Sequence, residues 1–372
     1  MRNLKAFINH YRRLCNLFQL FGDSPPLPLL LLVFLTSRCQ CRCEVCNQSY
    51  DGSFARDAGD MSPALFEEIL RQAGRFLRKP RIHLFGGEPL LNPRFDEVVS
   101  LLARYGFRAS INTNGELLEA RADLLARGPV RMVLVSLDAV GDRHDEIRGR
   151  PGLFEKAVRG IRALRARDKD LVLNVNYVVG DARRLYTDLL EFERLFAGTR
   201  IDYFSIEHLA FTRPMVPLAR RVDAAALREN LAAIRARRFA FPVSATPLLR
   251  DEDLAAYYGS SAPLGAINCN VPWIALNVLP QGHVTPGGAM FECTQVVGHV
   301  REEGLPAIWN GDAMRAFRRR IRTAMPEDCV RCCHTLHRSR LFRSRLAASE
   351  ERGPESPRNR PAPSDAAGRS GG

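Results

Sequence analysis

The stretch LLLLVFLTSRCQCRCEVC, residues 29–46, joins an apolar run to a cysteine-rich loop. The run is too short to cross a membrane, which takes ~20 residues, and no small-residue cleavage site follows it, so we interpret it as a buried strand. The loop holds four cysteines: Cys39, Cys41, Cys43 and Cys46. The chain has ten cysteines and no recognisable export signal, so the clustered thiols indicate metal binding or catalysis in the reducing cytoplasm rather than disulfides.

Apolar runs alternate with helical patterns from this stretch to about residue 206. Strand-like runs lie at 29–36, 81–86, 108–113, 131–137, 171–179 and 201–207. Apolar residues with helical spacing separate them, as in Phe154, Val158 and Ile161. Six such units predict parallel βα repeats, whose functional site lies at the carboxyl ends of the strands. The cysteine loop and the segments GGEP, NTNG and SLD each follow one of the first four runs.

Cys39, Cys43 and Cys46 have the spacing C-x3-C-x2-C. Three thiolates in such a loop can hold three corners of an iron–sulfur cube, whose complete ligand set is four. The remaining iron then stays open to a small molecule, as catalytic metal sites keep an open position. Zinc bound by Cys41, Cys43 and Cys46 is the alternative, although structural zinc usually takes two C-x2-C pairs and this loop supplies one.

Four motifs in this order and spacing resemble the radical S-adenosylmethionine (SAM) superfamily. They are the cysteine spacing, FGGEPLLNP (85–93), INTNG (111–115) and VSLDAVGDRHDEIRG (135–149). The resemblance implies an α/β fold, a partial (β/α)6 TIM-like barrel. It also implies an enzyme that cleaves SAM reductively at a catalytic [4Fe–4S] cluster and uses the 5′-deoxyadenosyl radical to abstract hydrogen from an unreactive C–H bond. The implied partners are a peptide, protein or small-molecule substrate and an electron donor such as flavodoxin or ferredoxin.

The resemblance assigns three ligands to the catalytic cluster: Cys39, Cys43 and Cys46. Cys41 lies between these ligands and is expected to be dispensable. Val45 departs from the family pattern, because many relatives have an aromatic residue just before the third cysteine. Asn174 and Asn176 share one face of the fifth run. They predict a contact to cofactor or substrate, with a mutually satisfied structural pair as the alternative.

The expected SAM contacts are Gly86, Gly87, Glu88, Pro89, Thr113, Asn114, Ser136 and Arg148. The two glycines allow close approach of the backbone to a ligand, and Glu88 can accept hydrogen bonds from a ligand ammonium. Arg148 can bind the cofactor carboxylate through two N–H groups, with a surface ion pair as the alternative. Thr113 and Asn114 fit turn chemistry equally well.

The segment after about residue 265 is glycine-rich and cysteine-rich, and it resembles the SPASM or twitch extension of many of these enzymes. Its expected ligands for a second, auxiliary [4Fe–4S] cluster are Cys269, Cys293, Cys329 and Cys332. Gly287 stands where relatives usually have a cysteine, so Cys293 can substitute for it, as can His299 or His334. Cys333 adjoins a predicted ligand and is not expected to bind the same metal. Zinc on the same four cysteines is the alternative.

The charge is uneven along the chain. The net charge is +13, and residues 314–345 carry ten arginines. This segment supports an alternative function, a non-catalytic zinc or iron–sulfur protein that binds nucleic acid, but that reading gives GGEP and SLD no role. Nucleic acid and a membrane span are not expected in the favoured interpretation. The predicted organisation is an N-terminal helical extension (1–25), the barrel (26–240), a small α+β cysteine-rich module (241–346) and a disordered tail (347–372).

Overall fold

The computed structural model describes residues 21–46, 59–210, 215–246, 249–259, 269–287 and 295–323. One ten-stranded sheet runs through them in the order β10-β9-β8-β1-β2-β3-β4-β5-β6-β7. Its strands are β1 Leu30–Thr36, β2 Arg81–Gly86, β3 Ala109–Thr113, β4 Val130–Ser136, β5 Val172–Val178, β6 Tyr203–Glu207, β7 Val243–Thr246, β8 Ala275–Val278, β9 His283–Thr285 and β10 Gly298–His299.

The α-helices within these ranges are α1 Pro63–Ala73, α2 Phe95–Arg104, α3 Ala122–Arg127, α4 Asp142–Arg148, α5 Leu153–Arg167, α6 Leu185–Leu195, α7 Val216–Ala219, α8 Ala224–Ala236, α9 Leu254–Gly259, α10 Leu305–Trp309 and α11 Asp312–Thr323. Among the described helices, none is long and apolar enough to cross a bilayer.

The first seven strands are parallel to their neighbours, which confirms the six predicted βα units and the partial barrel. β8 pairs parallel with β1, whereas β9 and β10 add antiparallel pairs at that edge. Strands β7 to β10 come from the part of the chain predicted to form a second module. The described part of that module therefore extends both edges of the barrel sheet, and the sheet does not end at residue 240.

The two faces of the sheet differ in chemistry. Alternate residues of β5 and β6 pack into the core beneath the helices: Leu173, Val175, Phe204 and Ile206. Successive strand residues point to opposite faces, so their neighbours line the inner face of the partial barrel. Those neighbours are polar: Asn174, Asn176, Ser205 and Glu207. The strands therefore bring a polar strip to the barrel interior.

Two polar side chains that precede helices, Asp223 and Asn92, have different roles. Asp223 caps α8 and accepts hydrogen bonds from two backbone N–H groups of its first turn. Asn92 is not the N-cap of α2, which begins at Phe95 after Arg94. Asn92 is buried instead, and its amide donates to the carbonyl oxygens of Leu35 and Met61 at 2.7 and 3.0 Å. This residue thus ties the loop after β2 to β1.

A buried arginine attaches the last described helix to the barrel. Arg318 of α11 stacks on the Trp309 ring, with its guanidinium carbon 4.4 Å from the ring centroid. It donates to the carbonyl oxygens of Pro272 and Asp23 at 2.9 and 2.7 Å, and to Asn310 Oδ1 at 3.0 Å. Burial lowers its pKa to about 9. The bond to Pro272 fixes α11 against the segment that follows the first predicted auxiliary ligand.

Candidate active site

The cysteine loop leaves β1 and lies against the end of α4. The backbone N–H of Arg42 donates to the carbonyl oxygen of Arg148 at 2.9 Å, and that of Glu44 donates to Ile147 at 3.2 Å. Gly149 ends α4 in the left-handed region, with φ of 58°, and a Cβ there would lie 3.0 Å from the carbonyl oxygen of Arg42. Glycine therefore permits both the turn and the close approach of the loop.

The thiols of this loop lie together. Cys41 and Cys43 are buried and form a small apolar cluster with Leu153, against which Cys39 and Cys46 also pack. The Cys41 thiol interacts with both neighbours, which lowers the pKa of Cys39 to about 6 and that of Cys43 to about 7 and raises the pKa of Cys41. The structure thus brings the three predicted cluster ligands into one loop, with Cys41 between two of them.

Glu88 is buried at the carboxyl end of β2, and internal donors surround it. Its Oε1 accepts from Leu90 N at 3.1 Å and from Thr113 Oγ1 at 2.9 Å, and its Oε2 accepts from Asn114 N at 2.7 Å. Burial raises the pKa of this carboxyl to about 7, although the hydrogen bonds oppose the shift. Glu88 therefore fastens the ends of β2 and β3 together, and it also caps the short 3-10 helix that begins at Pro89.

The paired glycines before Glu88 pack against protein backbone. A Cβ on Gly86 would lie 2.3 Å from the carbonyl oxygen of Thr36, and one on Gly87 would lie 2.1 Å from that of Arg38. The N–H groups of Gly87 and Glu88 donate to the same two oxygens, each at 2.8 Å. These glycines thus press the GGEP turn directly onto the chain that leads into the cysteine loop, and contact of the same turn with SAM stays a prediction.

Arg148 connects the cysteine loop to the barrel interior. Its Nη2 lies 2.6 Å from Asp138 Oδ2, and its Nη1 donates toward Cys43 Sγ at 3.7 Å. The other oxygen of Asp138 accepts from Val178 N at 2.9 Å. Arg148 Nε is buried and has no hydrogen-bond partner within the described chain. Arg148 thus forms a buried pair with Asp138 rather than the alternative surface ion pair, and one guanidinium N–H remains for a ligand.

The inner face beside this pair is polar. Ser136 ends β4 opposite Asn176 of β5, and Ser205 Oγ donates to Asn174 Oδ1 at 3.1 Å. Asn174 in turn donates to Asn176. Glu207 ends β6 on this face. The asparagines satisfy each other at least in part, which agrees with the structural alternative for them.

Sequence reasoning missed two residues here, Asp138 and Glu207. Asp138 stands inside the quoted SLD segment, one residue past the end of a strand run. Glu207 has the same parity as Ser205 on the sixth run, so strict alternation already places its side chain on the inner face. Alternation along the strand could therefore have predicted the position of Glu207. No sequence pattern indicates that Asp138 pairs with Arg148.

The residues of the loop fit an iron–sulfur cluster. Amide and guanidinium N–H groups approach two of the predicted ligand sulfurs, with Asn114 Nδ2 3.9 Å from Cys39 Sγ and Arg148 Nη1 3.7 Å from Cys43 Sγ. Such N–H donors stabilise cluster thiolates and influence cluster potentials. In the described residues no three cysteine, histidine or carboxylate side chains form a group that could hold a single metal ion. The thiolates of a four-iron cluster bind separate irons and need no such convergence.

Only part of the predicted auxiliary site lies in the described chain. Cys269 is buried beside Trp273 in a second apolar cluster. A Cβ at Gly287 would lie 2.6 Å from Ala275, so the position where relatives have cysteine has no room for a side chain here. His299 Nε2 lies 3.0 Å from the carbonyl oxygen of Gln281. The other candidates fall outside the described residues: Cys293, Cys329, Cys332, Cys333 and His334.

Comparisons with known proteins agree with this geometry. The radical SAM superfamily model matches residues 33–184, and the SPASM iron–sulfur cluster-binding domain model matches residues 269–333. Pre-heme d1 synthase from Dinoroseobacter shibae is 26% identical over 88% of this chain and 85% of its own length. A probable GTP 3′,8-cyclase from Methanosarcina acetivorans is 34% identical over 45% of this chain and 51% of its own. AdoMet-dependent heme synthase from Methanosarcina barkeri is 32% identical over 40% of this chain and 42% of its own.

Solved structures share the fold. SuiB of Streptococcus suis, bound to SAM, is 18% identical with a TM-score of 0.64 and covers 86% of this chain and 74% of its own. The enzyme anSMEcpe with bound AdoMet is 16% identical with a TM-score of 0.57 and covers 84% and 90%. The matched domains imply a [4Fe–4S] cluster with SAM and auxiliary iron–sulfur binding, which disfavours the zinc alternatives. The chain therefore carries a radical SAM superfamily domain at residues 33–184 and a C-terminal iron–sulfur cluster-binding domain of the SPASM type at residues 269–333.

Proposed function

We propose that this protein binds SAM at a [4Fe–4S] cluster held by Cys39, Cys43 and Cys46 and abstracts hydrogen from a C–H bond of its substrate. The observation that carries the proposal is the cysteine loop, which Arg148 and the GGEP turn fix at the carboxyl ends of the strands. When bound, the cluster supplies the electron that splits SAM into methionine and a 5′-deoxyadenosyl radical.

The protein's own residues position and shield this chemistry. Arg148 retains one buried N–H group, which suits the carboxylate of SAM. Ser136 and the asparagines of β5 offer hydroxyl and amide groups on the inner face, where the ribose or the substrate can be held. Leu153 packs against the loop and helps to shield the buried Cys43 thiol from water, which limits side reactions of a radical.

Anaerobic reconstitution with iron and sulfide, followed by chemical reduction in the presence of SAM, tests the activity. We expect 5′-deoxyadenosine and methionine as products, resolved by liquid chromatography and mass spectrometry. The matched control is Cys43→Ala, which removes a proposed cluster ligand. No 5′-deoxyadenosine from protein with a full complement of iron and sulfide contradicts the proposal.

The substrate that we propose is a small molecule, a tetrapyrrole precursor of a heme. The relative that matches over most of the chain is named a pre-heme d1 synthase, and another relative is named a heme synthase. Tetrapyrroles of this kind carry propionate groups, and the net charge of +13 favours an anionic ligand. A peptide is the second candidate, because SuiB shares the fold and has been solved with its precursor peptide bound.

A tetrapyrrole substrate predicts two results. Iron coproporphyrin should bind the reconstituted protein with a shift of its Soret absorption, and it should raise the yield of 5′-deoxyadenosine as its mass changes. If the porphyrin neither binds nor reacts, tetrapyrroles are excluded as the substrate class, while the proposed cleavage of SAM is unaffected.

We further propose that the protein works in the cytoplasm and that flavodoxin or ferredoxin supplies its electrons. We also propose that Cys269, Cys293, Cys329 and Cys332 hold one auxiliary cluster.

A further inference from the structure

Two carboxylates stand at the strand ends of the inner site, and their surroundings differ. Glu88 accepts three hydrogen bonds from Leu90, Thr113 and Asn114. Glu207 has no hydrogen bond or ion pair to its side chain within the described part of the chain. Its strand neighbours opposite are Val178 of β5 and Thr246 of β7, neither of which carries a charge. Glu207 is therefore the carboxylate that is available to a ligand.

The charges near Glu207 leave an excess of negative charge. Burial is the main cause that raises the pKa of Glu207 to about 7. Asp138, after β4, raises this pKa further, and Arg148, at the end of α4, lowers it. Arg148 already pairs with Asp138 at 2.6 Å. The adjacent His208 is bonded to Tyr258, with 2.9 Å between His208 Nδ1 and the phenol oxygen. Val178, the strand partner of Glu207, donates its backbone N–H to Asp138, so Glu207 lies beside the pair of Asp138 and Arg148.

SAM has the complementary charge. It carries a carboxylate, an ammonium and a sulfonium, so its net charge is positive. An amino group that chelates iron has lost a proton and is no longer cationic. The sulfonium is then the positive centre of the bound cofactor, and a buried positive charge needs an anionic partner. Glu88 already accepts three hydrogen bonds from the protein, whereas the Glu207 side chain accepts none within the described residues, so Glu207 is the candidate for that partner.

We propose that Glu207 is the carboxylate that faces the sulfonium of bound SAM, while Glu88 holds the ends of β2 and β3 together. This inference rests on the proposed function, because it requires SAM bound at the cysteine loop. A carboxylate in this place stabilises SAM relative to an uncharged thioether analogue. Glu207 is in this sense a specificity residue for the charged form of the cofactor.

S-adenosylhomocysteine isolates the charge, because it lacks only the methyl group that makes the sulfur cationic. The affinities of the reconstituted protein for SAM and S-adenosylhomocysteine are measured by equilibrium dialysis without reductant. In Glu207→Gln we expect the SAM affinity to fall about tenfold while the affinity for S-adenosylhomocysteine changes less than about twofold. The variant should fold normally, because the wild-type side chain makes no hydrogen bond that the amide must replace.

The matched control is Glu193→Gln, which neutralises a carboxylate paired with Arg237 on the helix side of the sheet. We expect it to leave both affinities unchanged. An unchanged ratio of the two affinities in Glu207→Gln, whether neither or both have fallen, overturns the inference and leaves the proposed function intact. Wild-type protein that carries the cluster but binds no SAM overturns both.

Discussion

Arg148 Nη2 and Asp138 Oδ2 are 2.6 Å apart in a pair that is almost wholly removed from solvent. Each partner has a second attachment, Asp138 to the backbone of β5 and Arg148 to the thiol of Cys43. This ion pair is thus one of the connections between the cluster loop and the barrel, in addition to the GGEP turn. Because the pair is buried, removal of one partner leaves the charge of the other uncompensated and poorly hydrated.

Asp138→Asn should therefore release Arg148 and weaken SAM binding. Loss of one partner of a buried ion pair typically costs about 3 kcal/mol of stability. Asp202→Asn, which breaks the buried pair of Asp202 with Arg165, is the matched control. Both variants should lower the unfolding midpoint in urea, and only Asp138→Asn should reduce the SAM affinity of reconstituted protein. Equal SAM affinities in the two variants would assign Asp138 a purely structural role.

Gly87→Ala should damage the site by overpacking the GGEP turn. The added Cβ would meet the carbonyl oxygen of Arg38, whose position the hydrogen bond from Glu88 fixes. Overpacking of this kind costs about 1–3 kcal/mol. Gly180→Ala is the control, because nothing lies within 4 Å of a Cβ there. Urea unfolding of the two variants, together with iron content after reconstitution, checks the prediction. Equal unfolding midpoints and equal iron contents in Gly87→Ala and Gly180→Ala would contradict the prediction.

Cys41→Ala should leave cluster content and SAM cleavage nearly intact, while Cys43→Ala should abolish both. Cys41 packs against Leu153, so its truncation costs some apolar contact but no proposed ligand. Iron and sulfide analysis of anaerobically reconstituted proteins measures the difference. If the two variants exchange outcomes, Cys41 is a ligand and the ligand assignment in this loop is wrong.

SAM affinity should depend on pH through Glu207. The pKa of this carboxyl in the protein without SAM is raised to about 7, so acidification below that value protonates it and removes its negative charge. Affinity for SAM should therefore decline from pH 8 to about pH 6. Glu88 also has a pKa raised to about 7, so the comparison with Glu207→Gln isolates the contribution of Glu207. If SAM affinity depends on pH in the same way in wild type and in Glu207→Gln, a contribution of Glu207 is excluded.

Arg318→Met should destabilise the attachment of α11. The substitution retains apolar contact with Trp309 but leaves the carbonyl oxygens of Pro272 and Asp23 without their donor. Unsatisfied buried acceptors cost about 1–3 kcal/mol each. Arg315→Met on the same helix, where the arginine pairs with exposed Asp312, is the control. Limited proteolysis and urea unfolding compare the two. Equal stability of the variants removes the proposed role of Arg318.

The sequence determined the parallel strand order, the position of the cysteine loop and the superfamily. Local patterns were sufficient here, because a period of two with alternating helices leaves few ways to build the sheet, and three cysteines at fixed spacing stay together in any fold. The same patterns could not show that β7 and β8 join the two edges of this sheet. Short strands of three or four residues carry too little periodicity to be recognised.

Only the tertiary structure decided which polar groups already have partners. The SAM contact of GGEP stays a prediction, whereas the structure shows that Gly87 packs on Arg38 and that Glu88 accepts hydrogen bonds from Thr113 and Asn114. Asp138 and Arg148 are ten residues apart in the chain, and the turn of α4 brings them together. Pairing of this kind depends on distances between elements. Sequence spacing does not contain these distances, because packing of the helices on the sheet sets them.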